Sequence, residues 1–291
     1  MRSDSDRFAV HSSLEALQTV EEGASGNQRS LRSAVFEVMA MLAQVQQWGT
    51  LAWNDIKLRY RRTTLGPLWI TLGLAATVFS VGVLYGALFG NELSHHLPYF
   101  ATGLVAWTLL GSTISEGCTT YLGAAAIIRT IPVPLVVHVY RMLARHLIIF
   151  AHNLLLIAAL WVIFRWPIDS HLLLIVPGTA ITLVTAFGLV LFLSVVAARF
   201  RDVQLIVSTI LQLVFLMTPI MWDAESLRPS GLIYVAEFNP VYHLIEIMRE
   251  PLLGNLPSAV SWISSTLAAI ASLALGLTFY ARYRHRVPFW I

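Results

Sequence analysis

Lys57, Arg59, Arg61 and Arg62 fall close together in the stretch WNDIKLRYRRTTLGPLW, residues 53–69, immediately before an apolar run that carries no charge until Glu92. These cations can line a modestly amphipathic helix lying flat on the cytoplasmic leaflet. They can equally be topology markers that touch anionic lipid, because Lys and Arg are retained on the cytoplasmic side of a membrane. The residues alone leave both readings open. Glu116 is the second chemical candidate. It lies near the end of an apolar run, where an ionisable group is expensive unless it pairs or meets water.

Other chemistry is scarce. Lys57 is the only lysine and Leu58 follows it, so no Gly-Lys-Ser/Thr phosphate loop can form. The single cysteine, Cys118, excludes an internal disulfide and a cysteine-built metal site. After residue 50 the acids expected on the cytoplasmic side are Asp55, Glu116 and Asp202, on three separate connections. That scatter argues against an enzyme, which needs carboxylates gathered for metal or general-base work. No catalytic residue and no metal site is assigned.

The elements that carry these residues are those of a membrane protein. Hydrophobic residues make up 57% of the chain and charged ones 12%, against about 25% charged in a soluble domain. The sequence predicts an all-α integral membrane protein with six spans, at about 68–89, 99–121, 146–164, 172–198, 203–222 and 262–280. Residues 1–47 read as a polar cytoplasmic tail without the early apolar core of a signal peptide, in which 31–47 can form a short helix. Residues 48–66 read as an amphipathic helix lying on the membrane surface. Asn91–Pro98, with His95 and His96, reads as a polar turn. Residues 122–145 form a long connection, broken by Pro132 and Pro134 and too apolar to face water. Residues 223–261 contain apolar pieces too short to span, which read as re-entrant or gate helices. Residues 286–291 end the chain beyond the transmembrane domain, 67–285.

Counting cations supports that topology. Lys57, Arg59, Arg61, Arg62, Arg129, Arg141, Arg145, Arg199, Arg201, Arg282, Arg284 and Arg286 fall on one side of six spans, and Arg165, Arg228 and Arg249 on the other. Both termini are then cytoplasmic.

Four stretches carry a resemblance. Asp55–Tyr60 with Leu65-Gly66-Pro67-Leu68-Trp69, Ile127-Ile128-Arg129 with Pro132 and Pro134, Phe200-Arg201-Asp202-Val203, and Asn239–Glu246 with Arg249 and Pro251-Leu252-Leu253 occur in the order found in ABC-2-type permeases that export lipid-linked polysaccharides. Over roughly residues 50–285 the chain resembles that family. The resemblance implies a homodimer in the bacterial inner membrane, each copy docked on a cytoplasmic ATPase subunit that supplies ATP and Mg, so that this chain is a transport subunit and holds no cofactor. The cargo would be a polyprenyl-pyrophosphate-linked glycan of O-antigen, capsule or teichoic-acid type. Arg129, Pro132, Pro134, Arg199, Arg201 and Asp202 would couple to the ATPase. Lys57, Arg59, Arg61 and Arg62 would lie near the lipid head group. Asn239, Pro240, Tyr242, His243, Glu246 and Arg249 would form a periplasmic gate.

A glycan offers hydroxyl edges and apolar ring faces, so aromatic side chains suit a channel that holds it weakly. Tyr85, Trp107, Phe192 and Phe215, together with Glu116, are the candidate lining residues, although aromatics near span ends also serve as interfacial anchors. Two alternatives are an ABC-2 exporter of a drug or small lipid, and an integral membrane enzyme acting on polyprenyl-phosphate sugars.

Overall fold

The computed structural model describes residues 31–66, 68–90, 92–131, 133–166, 169–224, 228–229 and 233–291. The tail at 1–30, Pro67 and Pro132 lie outside the described residues. The helices are α1 (Leu31–Ala43), α2 (Val45–Arg59), α3 (Leu68–Phe89), α4 (Leu93–Gly117), α5 (Thr120–Gly123), α6 (Ala125–Thr130) and α7 (Val136–Phe164). They continue with α8 (Ile175–Arg199), α9 (Val203–Met217), α10 (Tyr234–Glu237), α11 (Pro240–Leu252), α12 (Ala259–Tyr283) and α13 (Val287–Trp290), and a short 3-10 turn at Ser170–Leu174 precedes α8. Among the described residues there are five helices long and apolar enough to cross a membrane: α3, α4, α7, α8 with its 3-10 turn, and α12.

Three sequence expectations need correction. His95 and His96 do not lie in a polar turn. They belong to the first turn of α4, and His96 is buried against the ring of Phe100. The connection at 122–145 ends early, because α7 begins at Val136 and carries Arg141 and Arg145 as helical residues. At 29 residues and about 1.5 Å per residue, α7 is roughly 43 Å long. It is therefore longer than a hydrocarbon core of about 30 Å. The apolar run that begins at Val203 stops being helical at Met217, so α9 has 15 residues. Pro219 forces the preceding residue out of the helical region. Thr218 accordingly turns extended, at φ −89° and ψ 134°, and the chain folds under α11.

The bundle is fastened by a close crossing of α8 and α12. A Cβ at Gly276 would sit 2.2 Å from the Gly188 carbonyl oxygen, and one at Gly188 would sit 2.5 Å from the Leu273 nitrogen. Only glycine permits that backbone approach, the small-residue packing that joins helices where water does not drive them together. Buried side chains form two clusters. One joins α1, the start of α7 and the end of α8 around Tyr121, Val139, Leu191 and Tyr280. The other joins α4, the middle of α7 and α11 around Phe100, Ile157, Ile220 and Met248.

α1 and α2 lie across the end of the bundle that carries most of the cations, called here the basic end. Trp48 stacks on Tyr140 with ring centroids 5.7 Å apart, and its indole N–H donates to the Met41 carbonyl at 3.0 Å. The turn from α2 into α3 passes through left-handed conformations at Arg62 (φ 68°) and Gly66 (φ 56°).

Candidate functional site

Beneath α2, at the basic end, lies a cavity of about 690 Å³. Its walls come from helices far apart in sequence. α4 contributes Thr108, Ser112, Ser115 and Glu116, with Thr119 just beyond its end. Spacings of four, three and four residues put these hydroxyls on one helical face, and that face points into the cavity. α3 contributes Gly73 and Thr77, α7 contributes His146, Phe150 and Asn153, and the rim holds Arg59, Tyr60 and Gln204. The lining mixes hydroxyl, amide, imidazole and carboxylate groups with apolar patches at Ile70, Leu74, Leu109 and Ile149. Such a surface offers many weak, exchangeable hydrogen bonds and a cation at its mouth.

The Glu116 wall of the cavity is tied to α2 by ion pairs. Asp55 accepts from Arg141 Nε at 2.6 Å and from Arg145 Nη1 at 3.0 Å, with a further bond from Arg141 Nη2. Arg145 also donates to Glu116, whose other oxygen lies 2.9 Å from His146 Nε2. Asp55 and Glu116, which stand on separate segments of the sequence, thus share one arginine. The sequence reading left them scattered, and the fold brings them together. Arg141, Arg145, His146 and Asn153, and the hydroxyls of Thr108, Ser112, Ser115 and Thr119, are not among the site residues the sequence marks. A spacing signal existed, since Arg141 and Arg145 are one helical turn apart.

The remaining basic candidates are at the surface. Lys57, Arg59, Arg61 and Arg62 are exposed, with the Lys57 ammonium 5.7 Å from the Trp53 ring. Arg59 alone of the four lines the cavity. The candidate lining aromatics lie outside its wall. Trp107 and Phe215, with centroids 5.3 Å apart, border a recess of about 280 Å³ between α4 and α9 that shares Ser115 with the main cavity. Phe192 packs edge-on against Phe279 at 4.6 Å, and Tyr85 is half-buried on α3. Among the described residues the aromatic rings of the main cavity are Tyr60 and Phe150, besides the imidazole of His146.

A third group surrounds the short elements at the basic end. Arg129 on α6 donates to the Ile291 carbonyl, and the Arg199 guanidinium lies 5.6 Å from the Trp290 ring. Both are thus occupied by the chain's own last residues. Pro134 is half-buried before α7. Arg201 and Asp202 are exposed in the turn between α8 and α9, next to Phe200, and Ile127, Ile131 and Phe289 are also exposed.

The opposite end is closed by α11. Asn239 caps it by accepting from the Val241 N–H at 3.0 Å and donates to the Thr218 hydroxyl at 2.8 Å, and Pro240 takes the first helical position. His243 sits between the Ser261 hydroxyl (2.7 Å) and the Glu237 carbonyl (2.8 Å), and Ser261 donates to Glu246 at 2.6 Å. Arg249 is 2% exposed; its Nη1 donates to the Pro219 carbonyl at 2.7 Å and its guanidinium carbon lies 4.1 Å from the Tyr99 ring. The six candidates at this end therefore form one cluster, joining α11 to the end of α9 and the start of α12.

With this geometry in view, the chain can be set beside known proteins. Residues 46–253 match the ABC-2 type transporter family, from the start of α2 to the end of α11. The chain belongs to that family. Relatives of this ABC-2 transporter chain include an O-antigen export system permease protein RfbA of Myxococcus xanthus, 23% identical over 67% of this chain and 76% of the relative. Two proteins of the same name from Klebsiella pneumoniae are each 23% identical, covering 76% and 80% of this chain and 87% and 90% of theirs. The matched region contains the cavity, the Asp55–Arg145–Glu116 network and the α11 cluster. α1, α12 and α13 of this ABC-2 chain lie outside it.

Proposed function

We propose that this chain is the membrane permease of an ATP-driven exporter that moves a polyprenyl-pyrophosphate-linked polysaccharide, of the O-antigen kind its relatives are named for, out across the bacterial inner membrane. The observation that carries the reading is the hydroxyl-lined cavity of about 690 Å³ with Arg59 at its mouth. Sugar rings meet such walls through many replaceable hydrogen bonds and apolar contacts, and a pyrophosphate meets a guanidinium. A drug or small-lipid pocket would be more uniformly apolar.

The basic end is then cytoplasmic, as its cations require, and so are both termini. α9 completes a set of six membrane segments, with the buried Thr218–Ile220 turn carrying the chain over the last part of the bilayer. Exposed backbone turns are tolerated at that depth when covered by protein, and α11 supplies the cover as a re-entrant element. Two copies associate through α3 and α9, whose outward faces are apolar along Leu72, Phe79, Val83, Leu205, Leu213 and Leu216. Each copy docks an ATPase subunit on the exposed Arg201–Asp202 turn with Phe200, Ile127 and Ile131 beside it. The ATPase brings ATP and Mg; Arg129 and Arg199 act by holding this surface in shape.

Purification from native membranes tests the proposal. The expected result is co-purification with an ATP-hydrolysing subunit and, by mass spectrometry, a polyprenyl-pyrophosphate glycan. A preparation carrying only glycerolipid or a small amphiphile, and stimulated in ATP turnover by it, would overturn the cargo assignment.

A further inference from the structure

α1 is an element the family match does not reach, and its chemistry is unusual. One face, Ala34, Val38 and Met41, is buried against α7 and α12. A narrow polar stripe fastens it. Glu37 accepts from the Tyr280 hydroxyl at 2.5 Å and from Arg284, and the Ser33 hydroxyl accepts from Arg284 Nη2 at 2.8 Å. The Tyr140 hydroxyl donates to the Val38 carbonyl at 3.1 Å. The third face points outward. At 100° per residue Leu31, Leu42, Val35, Met39, Ala43 and Phe36 occupy one continuous arc of about 140°, and all six are exposed, Phe36 at 74% and Met39 at 58%. Among these exposed positions Arg32 is the only charged one.

A helix that is apolar on its inner and outer faces alike is one that must be covered on both. At 13 residues and about 1.5 Å each, α1 is too short to span. Its depth is fixed by its anchors. Tyr280 and Arg284 end α12 and Tyr140 begins α7, so α1 lies at the level where the apolar spans give way to the basic end. The spans that hold α1 also expose apolar residues, at Leu267, Ile270 and Leu275 on α12 and Leu147 on α7. α2 makes the contrast at the same level, with Lys57 and Arg59 among its exposed residues and a Gln46-Gln47 start.

We infer that α1 is a membrane-surface helix, its Leu31–Val35–Phe36–Met39–Leu42 face embedded among the acyl chains just beneath the lipid head groups, and that the Glu37–Arg284–Tyr280 lock holds it at that depth. Arg32 falls within the arc, between Met39 and Ala43 and in the first turn of α1; it reaches the head groups, since a long cationic side chain extends to the interface while its stem stays apolar. α1 thus joins the ends of α7 and α12 to the leaflet on the side where α2 guards the cavity. The inference depends on the chain spanning a membrane and is independent of the cargo.

The lone cysteine makes this measurable. In a Cys118→Ala background, Phe36→Cys and Met39→Cys are labelled singly with a nitroxide, with Asp202→Cys as the exposed reference. The full-length protein is reconstituted in vesicles of phosphatidylethanolamine and phosphatidylglycerol. Collision with oxygen, which partitions into acyl chains, is compared with collision with a water-soluble nickel chelate. The expected result is a several-fold excess of oxygen over nickel at positions 36 and 39, and the reverse at 202. A label at Leu42→Cys repeats the test should either variant fail to reconstitute. Nickel access at 36 and 39 equal to that at 202 would overturn the inference by making the face aqueous. Strong dipolar broadening at 36 and 39 would overturn it by making the face a contact between two copies. Replacing Glu37→Gln should raise nickel access at 36 and 39 by loosening the lock, while position 202 stays unchanged.

Discussion

Among the described residues two arginines are buried, one toward each end of the bundle, and they are held in different ways. Arg145 at the basic end is shared between Asp55 of α2 and Glu116 of α4, and Glu116 and Arg145 themselves border open recesses. Arg249 at the opposite end rests on the Pro219 carbonyl and the Tyr99 ring, and its nearest carboxylate among the described residues is Glu250, 3.5 Å from Nε. Ion pairs beside an aqueous cavity can be traded for water or for another anion at modest cost. A guanidinium sealed onto a carbonyl and a ring has no equal substitute: the Tyr99 hydroxyl reaches the same carbonyl only at 3.5 Å, so removing Arg249 leaves a buried acceptor poorly satisfied. The first arrangement suits a joint between a surface helix and a cavity. The second suits a fixed plug.

The sharpest way to break this contrast is at the plug. Arg249→Met should cost about 4 kcal/mol, from a poorly satisfied Pro219 carbonyl and the lost contact with Tyr99. The thermal midpoint of the detergent-solubilised protein checks it, and Arg249→Lys should recover little because it lacks the planar fork. A change below about 1 kcal/mol would mean that the end of α9 is held by other contacts.

At the joint, Asp55→Ala should cost less, about 2–3 kcal/mol, because Arg141 and Arg145 keep access to water and to Glu116. Its signature is local. Amide exchange in α2 should accelerate before the rest of the bundle loosens. Adding Arg141→Asp to Asp55→Arg should slow that exchange again, and failure to do so would remove the ion pair as the fastening.

Smaller effects sharpen the picture at the plug. Ser261→Ala removes the hydroxyl between His243 and Glu246 and should cost about 1–2 kcal/mol. Asn239→Ala removes the cap of α11 and the bond to Thr218, for about 1 kcal/mol. Equal losses in Asn239→Ala and in Asn239→Asp, which keeps the cap, would assign the effect to Thr218 rather than to the helix end.

What the sequence made legible follows from what is local. Long apolar runs and their flanking cations mark the spans and the basic end, and Asn239-Pro240 announces a helix start. The four-three-four spacing of Thr108, Ser112, Ser115 and Thr119 was equally readable, as a polar stripe in an apolar helix. Aromatics are more conspicuous in the sequence; Phe192 meets Phe279, and Trp107 meets Phe215 beside the cavity. The pairing of Asp55 with Glu116 through Arg145 was not readable, because it depends on how α2 lies across α4 and α7. The early end of α9 was half visible in Pro219; the burial that makes a turn tolerable there is a tertiary property. The apolar arc of α1 was visible in Leu31, Val35, Met39 and Leu42, but a segment taken for the edge of a polar tail drew no helical reading of its faces.

The central claim is that the cavity under α2 is the path of the cargo. Ser112→Trp places a bulky ring in the middle of its hydroxyl wall without touching the ion pairs or the exposed Arg201–Asp202 turn. Cells carrying this variant should assemble the transporter and retain its ATP hydrolysis yet lose export, read as surface polysaccharide by gel and lectin blot. Polysaccharide at the normal level in an assembled Ser112→Trp transporter would place the path elsewhere and contradict the account.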